Sequence, residues 1–242
     1  ISCPADITVN TIPDECGANV NYTVPTADDN CSGFTVGQIG GLASGALFPV
    51  GTTIVIFEVT DASGNTETCS FDVTVVDNIP PTINCPSDFT VNTDPDICGA
   101  MVDIPISFDD NCPGFIVDQI SALGDNDVFP LGTTTVEYTV TDASGAMTSC
   151  IFDITVEDNV APVIDCPGPT WTFNLDPGEC EAVVNFDITA VDNCDPNPIV
   201  IQTLGGPLQS GDIFPIGSYD FTYEATDNAG NTSDCSFTLI VE

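Results

Sequence analysis

Val76-Asp77-Asn78-Ile79-Pro80-Pro81-Thr82-Ile83-Asn84-Cys85-Pro86 is the stretch whose reading decides the fold. It returns as Glu157-Asp158-Asn159-Val160-Ala161-Pro162-Val163-Ile164-Asp165-Cys166-Pro167, and its tail, Ile1-Ser2-Cys3-Pro4, heads the chain. Behind each copy the same series follows: further cysteines, a Phe-Pro-x-Gly, a turn of the Thr-Asp-Ala-Ser-Gly type, and an alternating strand that runs into the next copy. A repeat of roughly 80 residues marks an array of modules. The divisions fall at residues 1–76, 77–157 and 158–242.

A module of that size struggles to bury enough apolar surface by itself. The 12 cysteines, spread evenly over three modules, fit the usual remedy of disulfide staples in an oxidising, extracellular compartment. Zinc ligation would favour close Cys-x-x-Cys pairs, and the sequence has none.

The chain has no Lys, Arg or His against 37 Asp plus Glu. It cannot release counterions from phosphates, which excludes nucleic acid and an anionic membrane surface as partners. It also lacks an apolar run long enough for a membrane-crossing helix. Missing His and Lys remove the Ser-His-Asp, Cys-His and Schiff-base routes to catalysis. A carboxylate pair of the glycosidase kind remains, but the acidic loops recur in every module, as scaffold does, so the expectation is no enzyme. No leader segment opens the chain, which suggests a stretch from within a longer exported protein.

Helix signals are missing and strand signals are dense. Ile7-Thr8-Val9-Asn10 reads as a strand, and from Cys16 the residues Ala18, Val20, Tyr22 and Val24 alternate with polar ones up to Pro25. A strand near Phe34 to Ile39 follows, then one with Val55, Phe57 and Val59 in phase. Asp61-Ala62-Ser63-Gly64-Asn65 reads as a hairpin turn with Gly64 at positive φ. The last strand puts Cys69, Phe71, Val73 and Val75 on one face. Six or seven short antiparallel strands per module predict an all-β protein of three tandem immunoglobulin-like sandwiches, arranged as an elongated rod.

Phase also suggests a disulfide pattern. Cys16 and Cys69 share inward parity, so the expected bridges cross the core as Cys16–Cys69, Cys98–Cys150 and Cys180–Cys235. That leaves Cys3–Cys31, Cys85–Cys112 and Cys166–Cys194 at one pole of each module.

Module two reads D-N-x-P-P-x-I-x-C-P, C-G-A-x-V, D-D-N-C, F-P-L-G-T-T-T-V-E-Y-T-V-T-D-A-S-G and C-x-F-x-I-x-V-x-D. It resembles the HYR (hyalin repeat) module, and the likeness extends over all three modules. The resemblance implies an immunoglobulin-like extracellular domain of adhesive arrays, such as matrix proteins and bacterial surface adhesins. Neighbouring repeats of one long chain would then be its first partners.

The junctions carry the strongest candidate chemistry. In such a sandwich the linker arrives at the pole that bears the second-to-third strand loop and the last hairpin. Asp77 and Asn78 then meet Asp109, Asp110, Asn111 and Asp142; Asp158 and Asn159 meet Asp192, Asn193 and Asp227. Hard oxygens without soft or imidazole donors suit Ca²⁺. The Asp-Asn-x-x-Pro linker is similar to the calcium linker of cadherins. Beside this stands a plainer reading, in which Asp and Asn simply bond their own backbone in turns. Module two departs from the others in carrying Ala146 where they carry Asn65 and Asn231.

Module three has an insertion, Asp195-Pro196-Asn197-Pro198, and the single tryptophan, Trp171. These features support an alternative function, recognition of a glycan or protein on another surface through module three. Thr runs at 52–53 and 133–135 read as the wet face of a strand, and the glycosylation triplets at Asn21, Asn30 and Asn231 as chance matches.

Overall fold

The structure is a computed structural model that describes residues 1–242. The first module has six strands: β1 Ile7–Asn10, β2 Gly17–Asn19, β3 Thr35–Gly40, β4 Leu47–Pro49, β5 Gly51–Thr60 and β6 Thr66–Val76. They form a four-stranded sheet, ordered β1-β6-β5-β3, and a two-stranded ribbon of β2 with β4. The third module repeats this, with Thr170–Phe173, Thr232–Val241, Gly217–Thr226 and Ile199–Leu204 in its larger sheet and Glu181–Val183 against Ile213–Pro215 in its ribbon.

Alternation along β5 and β6 builds the core. Val55, Phe57, Phe71, Val73 and Val75 point inward and meet Ala18, Val20 and Phe48 from the ribbon. Burying such side chains supplies about 1.5–3 kcal/mol each. Tyr22 is set edge-on to Phe48, Phe57 and Phe71, with ring centroids 6.4, 6.2 and 5.1 Å away. Its hydroxyl donates to the Leu42 carbonyl at 2.5 Å, so the polar tip is satisfied at the edge of the core. Phe186 takes the corresponding place in module three, packed on Phe221, Phe237 and Trp171.

Three features differ from the sequence reading. β1 runs parallel to β6, Ile7 facing Val73 and Asn10 facing Val76, so the sheet is mixed rather than wholly antiparallel. The run from Cys16 to Val24 is a strand only over Gly17–Asn19. Beyond it the Ser44 hydroxyl takes the neighbouring strand's place, accepting from the Tyr22 amide at 2.9 Å and donating to the Tyr22 carbonyl at 2.8 Å. The disulfides also differ, as described below. The hairpin at Asp61–Asn65 forms with Gly64 at φ 89°, and the Asp61 carboxylate accepts from the Ser63 and Asn65 amides.

Each module thus has two poles. The N-terminal pole carries the Ser2–Thr26 bridge, the loop at 27–33 and the Asp61 hairpin. The C-terminal pole carries the turn after β1 and the end of β6, where the Thr11 amide donates to the Val76 carbonyl at 3.0 Å. The chain forms two compact units: Ile1–Pro86 with Pro105–Ala122 and Val136–Phe152, and Ser87–Ile104 with Leu123–Thr135 and Asp153–Glu242. The division runs through the second module, so each junction lies wholly within one unit.

Candidate functional site

The bridges are Cys3–Cys69, Cys85–Cys150 and Cys166–Cys235 inside modules, with Cα atoms 5.8, 6.1 and 6.3 Å apart. Two more cross the junctions: Cys16–Cys112 and Cys98–Cys194, with Cα atoms 4.5 and 4.6 Å apart. Cys31 and Cys180 are free and exposed. None of the six pairings inferred from phase forms: Cys16–Cys69, Cys98–Cys150, Cys180–Cys235, Cys3–Cys31, Cys85–Cys112 and Cys166–Cys194 all give way to this pattern.

The reason is height along the strand. Cys16 lines a hollow with Val75, Val76 and Asp77 at the C-terminal pole. Cys69 sits seven residues before Val76 on β6, which is roughly 23 Å of extended chain. Disulfides require Cα atoms within about 7 Å. Parity puts both cysteines on one face without bringing them to one level. Cys3, arriving at the N-terminal pole, is level with Cys69. The Asp-Asp-Asn-Cys loop at the N-terminal pole of module two meets the Cys16 turn at the C-terminal pole of module one. Both placements follow from the sequence, and joining them would have given the crossing bridge.

Around that bridge the first junction assembles its oxygens. Asp77 is only 8% exposed, and its Oδ1 accepts from the Thr11 hydroxyl at 3.0 Å, the Ile79 amide at 3.3 Å and the Asn111 side-chain amide at 3.4 Å. Asn111 also donates to the Glu15 carbonyl at 3.4 Å, on the turn of the preceding module. Asp110 Oδ1 accepts from the Cys112 amide at 2.8 Å. Asp142 is 5% exposed; its Oδ1 accepts from the Ser144 hydroxyl and the Ala146 amide, both at 2.8 Å. Ala143 and Ser144 of this turn line the same hollow as Asp77 and the Cys16–Cys112 bridge.

After all these bonds, Asp77 Oδ2, Asp110 Oδ2, Asn111 Oδ1 and Asp142 Oδ2 remain buried without a partner. A buried acceptor left unpaired costs about 1–3 kcal/mol, and more when it is charged. Native structures hold only a few such groups per hundred residues, so four gathered at one joint call for a donor or a cation. With no Lys, Arg or His in the chain, no basic side chain can serve. Every orphan is a hard oxygen, the donor set that fits Ca²⁺.

At the second junction, carboxylate oxygens of Asp158, Asp192 and Asp227 lie within 4.8 Å of one another. Asp158 Oδ1 accepts from the Thr93 hydroxyl at 3.3 Å and the Val160 amide at 3.1 Å. Asp192 Oδ1 accepts from the Cys194 and Asp195 amides at 2.9 and 2.8 Å. Asn193 donates to the Asp94 and Ile97 carbonyls at 3.3 and 3.0 Å, as Asn111 does to Glu15. Asp192 Oδ2 and Asn193 Oδ1 are the buried orphans here. Asp227 is satisfied on both oxygens, because Asn231 gives its backbone amide to Oδ1 and its side-chain amide to Oδ2, each at 2.8 Å. The same side-chain amide reaches the Asp158 and Val160 carbonyls at 3.1 and 3.3 Å.

Burial by itself would raise the Asp142 and Asp227 carboxyls. The hydrogen bonds outweigh it: Ser144 with the Ala146, Gly145 and Ser144 amides for Asp142, and Asn231 with the Gly230 and Ala229 amides for Asp227. Both carboxyls are held below their ordinary value, so both stay charged where a cation would meet them.

Three of the residues expected at the junctions stand on their rims. Asn78, Asp109 and Asn159 are exposed; Asp109 bonds the Asp110 amide at 3.0 Å, and the Asn159 amide donates to the Asn92 side-chain carbonyl. The motifs give no sign of Thr11 and Thr93, which hold the linker aspartates; Asn231, the turn residue that module two replaces, donates rather than ligates. The insertion in module three folds onto the junction loop, where buried Asp195 accepts from the Asn197 amide at 2.9 Å. Trp171 instead lines a separate open hollow with Phe186, Asp165 and Asp187.

The HYR domain family matches residues 1–75, 76–156 and 157–241. Hyalin of Strongylocentrotus purpuratus is 34% identical over 240 residues, covering 93% of this chain and 19% of hyalin. Hyalin of Lytechinus variegatus is 35% identical over 234 residues, covering 93% of this chain and 43% of that protein. The chain therefore spans less than half of either relative. Among solved structures, Drosophila N-cadherin EC1-3 aligns over 99% of this chain and 98% of its own, at 13% identity and a TM-score of 0.38.

Proposed function

Because the chain belongs to the HYR family over all three modules, we propose that it is a structural segment of an extracellular adhesive repeat protein, a stalk or filament whose junctions are locked by sulfur and by Ca²⁺. Five disulfides suit the extracellular space. The observation that carries the calcium reading is the set of buried, unpartnered oxygens on Asp77, Asp110, Asn111 and Asp142. At the second junction the ligands are Asp158, Asp192, Asn193 and Asp227. Bound Ca²⁺ would supply positive charge between carboxylates that otherwise repel one another, and this chain's own part is to hold those oxygens in place. Thr11 and Thr93 orient the linker aspartates, while Asn111 and Asn193 bind the preceding turn. The work is reach and rigidity rather than reaction.

The experiment is thermal unfolding of the oxidised chain in millimolar Ca²⁺ and in EGTA. A ligand held at about 100 times its Kd adds about 2.7 kcal/mol per site. A domain of this size should then melt on the order of 10 °C higher. Identical transitions in the two buffers would remove calcium from the account and leave the sulfur locks.

A second reading rests on the hollow in module three. Trp171 and Phe186 give it aromatic faces, and Asp165 and Asp187 give it acceptors, a combination that suits a glycan hydroxyl edge above a ring. Glycan-array binding by the whole chain, abolished in Trp171→Ala, would favour it; equal signals from both proteins would refute it.

A further inference from the structure

The hollow beside Trp171 does not end at Phe186. It measures about 460 Å³, and a second of about 490 Å³ adjoins it, with Gln202, Gln209, Ser210 and Tyr223 among its walls. Phe186 and Asp187 line both, so the two hollows meet along one residue pair. Each alone has the size of a small-molecule site, ~300–1,000 Å³. Joined, they make a groove across one side of module three.

Module one shows why the groove opens here. There Tyr22 holds the place of Phe186, and its hydroxyl reaches the Leu42 carbonyl at 2.5 Å and Gln38 Oε1 at 3.1 Å, which ties the ring to the neighbouring loop. Phe186 has no hydroxyl to give. Gln202 faces Tyr223 across its strand pair as Gln38 faces Phe57, and its Oε1 accepts from the Tyr223 hydroxyl at 3.1 Å instead. The loop that follows is also longer, eight residues at 205–212 against six at 41–46. Its backbone is held in place. Ser210 clasps the Phe186 amide and carbonyl, and Gln202 Nε2 donates to the Gly206 and Leu208 carbonyls at 3.3 and 3.2 Å. The walls are thus set before a ligand arrives, which lowers the ordering cost of binding.

Polar groups line the whole length: Asp165 in the first hollow, Asp187 where the two meet, and Gln209 in the second, all exposed. Charge then sorts the ligands. The chain has no Lys, Arg or His to balance the two carboxylates, so sulfated, sialylated and uronate sugars are repelled. We propose that this groove takes an extended, uncharged glycan chain rather than a single terminal sugar. One unit packs on Trp171 and Phe186, and the chain passes Asp187 to bond the Gln209 side-chain amide. The proposal rests on the glycan reading of the Trp171 hollow and adds to it the length of the ligand and its charge class.

The experiment titrates the whole oxidised chain with uncharged glucan, mannan, galactan and chitin oligomers, each from disaccharide to hexasaccharide. Calorimetry and the fluorescence of Trp171, the single tryptophan, report binding. In at least one series the hexasaccharide should bind roughly tenfold more tightly than the disaccharide, the gain from one or two further hydrogen bonds. Gln209→Ala, a change on an exposed loop, should return the hexasaccharide to the affinity of the disaccharide and leave the disaccharide unaltered. Trp171→Ala should abolish both in calorimetry. Equal affinity at every length, or a length effect that survives Gln209→Ala, would overturn the groove and leave the Trp171 hollow as a short-chain site. A uronate hexasaccharide bound as tightly as the uncharged ones would overturn the charge class. No binding in any series would remove the glycan reading itself, and the groove with it.

Discussion

The two junctions share one plan and differ by one side chain. In the second, Asn231 puts its amide on Asp227 Oδ2 and on two linker carbonyls, so that turn satisfies itself. In the first, Ala146 occupies the place, and Asp142 Oδ2 is buried with nothing to receive. The first junction has orphan oxygens on four residues, the second on two. The lesson is that an amide donor can satisfy the buried oxygen for which the proposed cation would otherwise be needed. On that proposal, the module that lacks the amide should depend more on the ion.

That contrast can be broken most forcefully at Asp142. Asp142→Asn should weaken calcium binding at the first junction at least tenfold, or ~1.4 kcal/mol, and leave the second class of sites unchanged in isothermal titration. A loss at both junctions would mean that they do not act separately. Next in size, Asn231→Ala should turn the second junction into a copy of the first. In EGTA it should cost about 1–2 kcal/mol in urea unfolding, most of it regained in Ca²⁺. The reverse change, Ala146→Asn, should raise stability in EGTA by about 1 kcal/mol and reduce the calcium-dependent rise in melting temperature. No change in either variant would show that the amide has no part in the balance.

Acid gives the smallest and most specific effect. Asp142 and Asp227 have carboxyls depressed in the folded state. Each therefore adds stability above its unfolded value, near 4, and loses it as pH falls through the folded value. Urea midpoints in EGTA should drop below about pH 4. The drop should shrink in Asn231→Ala, where the largest of the hydrogen bonds on Asp227 is gone.

Much of this was legible in the sequence. The period gave three modules, and the parity of Val55, Phe57, Phe71, Val73 and Val75 gave the core. The oxygens of Asp77, Asp110 and Asn111 can be placed at one joint from the sequence, because the linker and the loop belong to facing poles. The sulfur pattern is not legible in phase, because alternation reports the face of a strand and says nothing of height along it. The parallel pairing of β1 with β6 was equally hidden, since strand direction leaves no mark on a four-residue pattern such as Ile7–Asn10. The role of Asn231 depended on a hydrogen-bond direction, which residue type alone leaves open.

The crossing bridges also bear on tension. Cys16–Cys112 and Cys85–Cys150 overlap in sequence, so no single backbone cut at Ile79 or Pro80 parts the first module from the second. A pull on the two termini would travel through the bridges Cys3–Cys69, Cys85–Cys150 and Cys166–Cys235 and through the linkers between them. Even with every strand peeled apart, the shortest covalent path would use under a fifth of the residues, those at 1–3, 69–85, 150–166 and 235–242, against a full extension of ~3.5 Å for each one. A tether wired in this way would yield a short distance and then hold.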